Sequence, residues 1–515
     1  MYIDVNWIDG VSQPRQPNEL SNSGIRAMER PVLQETNLLN IFDTSSGSNW
    51  FISQSNLGGR GLFASKAIKQ GSLIYKNKPL AVGPRPDSAG HRFCAVCYKV
   101  SDTCISCDTC SLFLCNDKCK QTQQHNTLCE FISKNFAQHP DSEDTSIALS
   151  KILIYLKLIL LKTEVNSFLH VFQTSPIEKH SEFEEISSRF IISQEHLKFM
   201  DQVRYILKLN SFRISHMFEG NKIPLRGFYP ISAFLNHSCV PNTRSIFKSD
   251  HTMEVYASKD IDIGEEILTC YTGLLWSTPA RRCHLYKTKK FWCKCKRCQD
   301  KTEMGTNLSA LKCLNKDCLG VLQPATATNP RTCWYCDNCG LKVPAQQIST
   351  IHSVLGSLVG TLNLDNELRL ETKILERLAN FVPFSNHIFV DLRLRLVLKL
   401  GFSDGLKFNE LTESRLSLKL VLCRDILATL AALGLEDSHL CGLLFYHLHA
   451  TLAERARRHP DLYDGLKSEI ESTIERAYRI LRGDISAPVD LELRYRYLGP
   501  DCEKPQQERF SILSI

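Results

Sequence analysis

The sequence predicts an α+β protein of several domains, in which a β-rich region encloses a cysteine-dense module and an all-helical region follows. The chain has 515 residues, enough for several domains of roughly 100–200 residues each. Its hydrophobic fraction is 43% and its charged fraction is 23%, which is typical of a globular protein. Short apolar runs separated by glycine turns occupy residues 50–82 and 225–275, whereas helical apolar spacing occupies 145–210 and 346–515.

Changes in composition and periodicity divide the chain into seven segments. In order, they are a polar leader (1–45), a first strand-rich part (46–93), a cysteine-dense module (94–129), a helical insert (130–215), a second strand-rich part (216–276), two further cysteine motifs (277–345) and an all-α domain (346–515). The last helices carry apolar stripes, so they should pack on one another and dock on the preceding domains. We expect this domain to form one wall of a cleft; the alternative is an independent domain tethered near residues 340–350.

The cysteine content points to metal binding. The chain contains 22 cysteines, and its polar N-terminal stretch has no apolar signal core. Cysteines in that context indicate metal sites in a reducing compartment rather than disulfides. The longest apolar run, 152–161, contains Lys157 and is too short to span a bilayer, so it predicts a buried helix and no membrane partner. We therefore expect a protein of the nucleus, the cytoplasm or both, and not a secreted one.

The charge does not favour a nucleic-acid partner. A formal net charge of +7 is small for a chain of this length. Basic stretches at 287–290 and 294–297 surround cysteines. We interpret them as the solvated rim of a metal site.

The first cysteine cluster supplies enough ligands for two zinc ions. Its four short pairs are Cys94 and Cys97, Cys107 and Cys110, Cys115 and Cys119, and His125 and Cys129. Each pair can place two ligands on one turn, and two pairs complete a tetrahedral site. The segment is too short to build a sufficient core, so metal binding should supply much of its folding free energy. Cys104 falls outside the pairs and is interpreted as a bystander.

The later cysteines predict two more zinc sites, about four in total. One site would use Cys293, Cys295 and Cys298, which are one ligand short of a structural site. Cys239 is the candidate for the missing ligand, with Cys283 and His284 as alternatives. The other site is a zinc ribbon. Its expected ligands are Cys313, Cys318, Cys336 and Cys339, with Cys333 as an alternative for one of them.

Further motifs follow one another in a definite order. They are GGRGLFA at 58–64, NSF at 210–212, GFYPISAFLNHSCVPN at 227–242, KDIDIGEEILTCYTGLLW at 259–276 and FWCKCKRC at 291–298. Together they resemble a SET domain followed by a post-SET cysteine motif. A cysteine module between the glycine loop and the Asn-His motif resembles the SMYD family (SET and MYND domain proteins), and the extra ribbon resembles its insect SmydA-like members. The resemblance implies that 46–93 and 216–276 form one SET domain and that 94–129 is a MYND zinc finger.

The resemblance implies an S-adenosyl-L-methionine-dependent methyltransferase acting on protein lysine, histone or non-histone. Methyl transfer needs a neutral amine, although the pKa of free lysine is about 10.4. A narrow, partly dehydrated channel favours the neutral form and aligns the reacting atoms. The alternative function is a weak or inactive SET/MYND interaction adaptor, such as a transcriptional corepressor. The MYND resemblance also implies proline-rich partner peptides.

Roles of individual residues are implied by the same resemblance. Tyr271 would orient the amine as a catalytic residue, and Phe212 would line the channel. The implied cofactor-binding residues are Gly59, Arg60, Gly61, Asn210, Asn236, His237, Tyr271 and Phe291. The implied zinc pairing is interleaved, with Cys94, Cys97, Cys115 and Cys119 on one ion and Cys107, Cys110, His125 and Cys129 on the other. Lys289 stands where many members have a second channel tyrosine, and a cation there should repel substrate lysine or widen the channel.

Overall fold

The structure, a computed structural model, confirms the predicted mixture of strands and helices. It describes residues 48–85, 92–138, 145–162, 165–166, 169, 172, 183–218, 221–360, 378–503 and 509. The predicted leader at 1–45 lies outside the described residues, as does part of the predicted helical insert.

The strands form several small sheets rather than one large sheet. In chain order they are β1 (Trp50–Gln54), β2 (Arg60–Ala64), β3 (Leu73–Asn77), β4 (Ala81–Pro84), β5 (Ile105–Ser106), β6 (Phe113–Leu114), β7 (Phe136–Gln138), β8 (Phe190–Ile192), β9 (Ser211–Phe218), β10 (Asn221–Phe228), β11 (Asn236–His237), β12 (Thr243–Phe247), β13 (Met253–Ala257), β14 (Glu266–Thr269), β15 (Leu311–Lys312), β16 (Val321–Pro324), β17 (Trp334–Cys336) and β18 (Lys342–Val343). The sheets run β1-β2-β14-β11, β4-β10-β9, β12-β13-β3 and β15-β16-β17-β18, with β5-β6 and β7-β8 as separate pairs.

The first sheet joins parts of the chain that are distant in sequence. Antiparallel β1 and β2 pair through the predicted glycine turn, and β2 then pairs with β14. The short strand β11 runs parallel to β14 and is the last strand of the sheet. The cysteine module and the helical insert therefore lie between β2 and β14 in the sequence, but these two strands are still neighbours in the sheet.

The helices surround the sheets and build the C-terminal domain. In chain order they are α1 (Asp117–Lys120), α2 (Gln123–Asn135), α3 (Thr145–Leu160), α4 (Glu184–Ser187), α5 (Gln194–Asn210), α6 (Thr278–Lys289), α7 (Lys296–Gln299), α8 (Ala345–Gly360), α9 (His387–Lys399), α10 (Glu413–Ala432), α11 (His439–Arg458), α12 (Tyr463–Leu481) and α13 (Leu491–Leu498). The apolar run predicted as a buried helix lies in α3, where 12 residues are buried.

The C-terminal helices pack directly on the β-rich region. Leu274 and Leu308 belong to the same hydrophobic core as α9 to α13. Arg244 on β12 is buried, and its Nε atom lies 2.9 Å from Oδ2 of Asp437. The carboxylate of Asp484 accepts a 3.0 Å hydrogen bond from the backbone N–H of Phe247. This packing favours the docked arrangement over the tethered one, while a role as a cleft wall stays a prediction.

Local capping places the ligands of the first cysteine module. The side chain of Asn116 accepts a hydrogen bond from the N–H of Cys119 and starts α1, and Thr122 caps α2 in the same way at His125. Nδ1 of His125 lies 2.7 Å from the carbonyl oxygen of Lys120. A proton on Nδ1 would donate there and leave Nε2 as the metal ligand.

Four cysteine-rich clusters are assembled, each with its ligand atoms within 4.8 Å of one another. They are Cys94, Cys97, Cys115 and Cys119; Cys107, Cys110, His125 and Cys129; Cys239, Cys293, Cys295 and Cys298; and Cys313, Cys318, Cys336 and Cys339. Sulfur–sulfur distances such as 3.5 Å between Cys97 and Cys115 and 3.6 Å between Cys318 and Cys336 fit tetrahedral zinc, whose Zn–S bonds are about 2.3 Å. Each cluster could therefore hold one zinc ion.

The structure also shows which of the alternative ligands belong to the third and fourth clusters. The sulfur of Cys239 lies 3.5 Å from that of Cys298 and 3.9 Å from that of Cys293. His284 instead packs its ring edge-on against Trp276, with 5.3 Å between centroids. Cys104, Cys283 and Cys333 are in none of the four clusters formed by the described residues.

A buried carboxylate supports the third cluster. Glu303 is 1% exposed and accepts hydrogen bonds from Arg281 at 2.7 Å and Arg297 at 3.3 Å. Arg281 in turn places Nε 3.1 Å from the sulfur of Cys239. Both guanidinium groups are fully buried, so neither can be hydrated if the carboxylate is lost. Glu303 is therefore a structural centre of this region.

Purified protein should contain four zinc ions per chain by elemental analysis. Cys239→Ser should remove one ion because it deletes a ligand of the third cluster. Cys283→Ser is the matched control, since this cysteine lies nearby in sequence but outside the cluster, and it should retain all four. Two ions or fewer in the wild type would contradict zinc binding by the third and fourth clusters.

Replacing Glu303 with Gln should destabilise the protein by about 3–5 kcal/mol, the usual cost of breaking a buried ion pair. The exposed pair of Lys69 and Asp260, 2.7 Å apart, supplies the control. Asp260→Asn should leave the free energy of unfolding nearly unchanged, because both charges of this pair are solvated. Denaturant titration measures both, and equal effects of the two substitutions would contradict the role given to Glu303.

Candidate cofactor and active site

The glycine-rich motif forms the turn between β1 and β2. Gly58 and Gly59 have positive φ angles of 113° and 67°, which glycine adopts at little cost. The turn is closed by two backbone hydrogen bonds, from Ser55 N–H to the Gly59 carbonyl at 2.9 Å and from Gly58 N–H to the Ser55 carbonyl at 3.1 Å. Nothing lies within 4 Å of a Cβ placed on Gly58. The loop therefore presents its backbone at an open surface.

Glu266 fastens this loop to the strand that carries the Asn-His motif. One carboxylate oxygen accepts a 2.7 Å hydrogen bond from the Asn236 side chain, and the other accepts a 3.0 Å hydrogen bond from the Ser55 hydroxyl. The same Asn236 amide also donates to the backbone carbonyl of Arg60 at 3.1 Å. A Cβ on Gly61 would lie only 2.3 Å from Glu266 Oε1. A side chain at position 61 would therefore displace the Glu266 carboxylate from its hydrogen bonds with Asn236 and Ser55.

His237 and Tyr271 are held together beside this strand. The Tyr271 backbone N–H donates to Nδ1 of His237 at 3.0 Å, so the imidazole proton lies on Nε2, which is 3.3 Å from the sulfur of Cys239. Burial lowers the pKa of His237 to about 4 and keeps the ring neutral. The Tyr271 hydroxyl donates to the Leu235 carbonyl, and burial raises the pKa of this phenol. Tyr271 is therefore a neutral hydroxyl at neutral pH.

Two further aromatic rings were expected at the site, and one of them lies beside His237. The centroid of the His237 ring lies 5.2 Å from the centroid of the Tyr271 ring and 6.0 Å from that of the Phe291 ring. Phe212 packs edge-on against Tyr229 with 5.8 Å between centroids. The structure thus brings the expected residues His237, Tyr271 and Phe291 into one aromatic group.

Two other expected cofactor residues have defined local partners. The Asn210 amide donates to the Ile206 carbonyl at 2.8 Å at the end of α5. The Arg60 guanidinium lies 5.6 Å from the centroid of Phe234, and burial lowers the pKa of Arg60. Contact of either side chain with a cofactor stays a prediction.

Lys289 adds a cation beside Tyr271. Its Nζ atom donates to the carbonyl of Leu209 and lies 5.1 Å from the centroid of the Tyr271 ring. Burial, with a smaller contribution from the positive charge of Arg213, lowers the pKa of Lys289 to about 8. The expected cation is therefore present, although it is held by a carbonyl oxygen rather than directed into open solvent.

The residues present fit an adenine-bearing cofactor. Strand β11 is at the edge of its sheet, which leaves the outer side of its backbone outside the sheet ladder. The half-buried ring of Phe291 next to His237 offers an aromatic face for a purine. The open glycine loop lies in the same sheet, and close approach of a ligand to its backbone needs no side chain to move.

Sequence reasoning missed Glu266 and Glu303. Glu266 contacts Ser55, 211 residues earlier, and Glu303 pairs with two arginines whose burial no local pattern shows. The GEE sequence at 264–266 was a usable signal for the first, because a carboxylate at a sheet residue is costly unless it is paired. No comparable signal precedes Glu303.

Comparison with known proteins identifies the domain. The SET domain family matches residues 59–272. The SET domain-containing protein SmydA-8 of Drosophila melanogaster is 29% identical in isoform A over 69% of this chain and 79% of that protein. Its isoform B is 27% identical over 69% of this chain and 81% of that protein.

More distant matches are shorter or weaker. The human protein named histone-lysine N-methyltransferase SMYD3 is 26% identical over 47% of this chain and 59% of its own length. A solved structure of Rubisco LSMT bound to AdoMet covers 92% of this chain and 93% of that chain at 13% identity, and its TM-score of 0.24 is too low to carry information on the fold.

Within the part of the chain that the structure describes, no helix is both long and apolar enough to cross a membrane. The SET match contains both the glycine loop and Tyr271, and the SmydA-8 relatives extend the likeness over most of the chain. Residues 59–272 of this chain therefore match a SET domain, and over 69% of its length the chain is similar to the insect SmydA-8 protein.

Proposed function

We propose that the chain is an S-adenosyl-L-methionine-dependent methyltransferase that acts on lysine side chains of proteins. The observation that carries the proposal is the junction of Tyr271 with the Asn236–His237 edge strand, in the same sheet as the glycine loop. The printed names of the more distant relatives, histone-lysine and N-lysine methyltransferases, support the same reaction class.

The cofactor, when bound, supplies an electrophilic methyl group on a sulfonium. The chain would hold it with the glycine loop, Asn236, His237 and Phe291. The Tyr271 hydroxyl, neutral because of burial, can orient a nearby amine without taking up its proton. Tyr271 would therefore act by alignment, which is a large part of the rate in such a displacement.

The site can also favour the neutral form of an incoming lysine. Burial near Tyr271 already lowers the pKa of the resident Lys289 to about 8. A substrate lysine entering the same surroundings would meet the same desolvation, so less work is needed to remove its proton. An environment that lowers the pKa of an amine is useful for amine methylation, whereas a purely structural pocket has no need of it.

The proposal also includes the kind of substrate and the partner of the cysteine module at 94–129. A protein carrying an accessible lysine is the expected substrate, histone or non-histone, in the nucleus or the cytoplasm. The module at 94–129 would bind proline-rich partner peptides as a MYND finger. The exposed Ile105, 65% accessible on β5, is one apolar contact available to such a peptide. A weak or inactive adaptor is the second candidate, favoured by the cation of Lys289 at the proposed site.

Tyr271→Phe should leave cofactor binding intact but reduce methyl transfer by about 100-fold, the cost of a small misalignment of reacting groups. Calorimetry with S-adenosylmethionine measures the binding, and transfer of a labelled methyl group to core histones measures the activity. Tyr335→Phe, which alters an exposed tyrosine of the ribbon, is the matched control and should change neither. A wild-type protein that binds no S-adenosylmethionine would refute the enzyme and leave the adaptor.

Gly61→Ala should weaken S-adenosylmethionine binding by about tenfold or more, equivalent to 1.4 kcal/mol. The added methyl group would collide with Glu266 and separate the loop from Asn236. Gly465→Ala is the control, because nothing lies within 4 Å of its new Cβ and the residue is on helix α12. Unchanged affinity in Gly61→Ala would show that the loop position does not matter for the cofactor.

A further inference from the structure

Lys289 reaches the group of residues around Tyr271 from the end of α6. Lys290 follows in the left-handed conformation with φ of 61° and ends the helix. The side chain of Lys289 is half-buried, and its amine donates to the Leu209 carbonyl beside the Tyr271 ring. A primary amine, a carbonyl acceptor and an aromatic face therefore meet at one place.

The Leu209 carbonyl attracts the amine for a general reason. Leu209 is next to last in α5, and the last carbonyls of a helix have no partner within the helix. A cation is also favoured at this negative end of the helix dipole. The ring face of Tyr271 adds a cation–π contact at 5.1 Å. The same three features would attract the amine of any other lysine.

We propose that Lys289 is an internal competitor of the substrate lysine. The amine of Lys289 occupies the position beside Tyr271 that the substrate amine must take. The proposal rests on the proposed methyltransferase function. Substrate entry then requires the Lys289 side chain to leave the Leu209 carbonyl. While it remains, it fills the space and opposes a second ammonium group by charge.

The effect of this competition on the affinity for an acceptor lysine follows from how often Lys289 leaves the position free. If Lys289 leaves the position free for about one tenth of the time, the apparent affinity for an acceptor lysine falls about tenfold. Removing the amine restores that factor without any new contact to the acceptor. A lysine that only completes the end of α5 would give no such gain.

The experiment measures acceptor binding rather than turnover. The probe is Nα-acetyl-lysine amide, titrated into full-length protein saturated with S-adenosylhomocysteine, which cannot transfer a methyl group. Lys289→Met should bind the probe about tenfold more tightly than wild type. Lys289→Gln, which can still donate to the Leu209 carbonyl, preserves the helix end if the first variant does not fold. It should bind the probe more tightly than wild type but less tightly than Lys289→Met, because it removes the charge and only part of the occupancy. Lys290→Asn is the matched control, because it removes one neighbouring charge at an exposed residue and keeps the left-handed turn.

The outcomes separate the inference from the proposed function. Tighter probe binding in both Lys289 variants, with wild-type affinity in Lys290→Asn, supports the competitor. If both Lys289 variants bind the probe with wild-type affinity, or if no variant binds it detectably, while S-adenosylhomocysteine binds normally, the competitor is overturned. The methyltransferase proposal would still stand. Failure of the wild type to bind S-adenosylhomocysteine or S-adenosylmethionine would overturn the proposed function itself.

Discussion

The architecture of the site depends on one connection, the sulfur of Cys239 meeting the cysteines at 293–298. Cys239 lies two residues after His237, so a metal ion bound there would fix the edge strand β11 from its C-terminal side. The same ion would hold Phe291, two residues before Cys293, next to the His237 ring. Both sides of the proposed purine site are therefore tied to one cluster, although they are more than 50 residues apart in sequence.

Charge balance explains why this cluster needs its surroundings. Zinc with four thiolates has a net charge of −2, which is costly in a buried position unless it is compensated. Arg281 lies within hydrogen-bond distance of the Cys239 sulfur, and Arg297 donates to the carbonyl of Leu274. Glu303 then forms ion pairs with both guanidinium groups. A bound metal ion, the two arginines and the carboxylate would form one connected network, so a substitution at any of these groups should disturb the position of the edge strand β11.

Much of this organisation could be predicted because zinc chemistry restricts sequence spacing. The short cysteine pairs and the triad at 293–298 predicted four zinc sites, since two ligands from one turn are the simplest way to build a tetrahedral site. The interleaved grouping of the first two sites was implied by the family resemblance and not by the spacing. Spacing alone could not choose among Cys239, Cys283 and His284, or decide whether Cys333 replaces one ribbon ligand, because these choices depend on where distant strands meet. The strand and helix regions followed from periodicity, whereas the short β7–β8 pair inside the predicted helical insert did not, because strands of three residues carry too little pattern.

The residues that no local pattern showed are those that make long-range polar contacts. Glu266 is half-buried, and each of its oxygens is bonded to a side chain from a different part of the chain. The partner glycine at 61 costs roughly 0.5–1 kcal/mol relative to alanine in a strand. A sheet built only for stability would replace this arrangement with apolar packing, which avoids the desolvation of the carboxylate. Local costs of this kind are usual at functional sites, so the Glu266 network favours a working cofactor loop over an adaptor whose SET domain serves only as a scaffold.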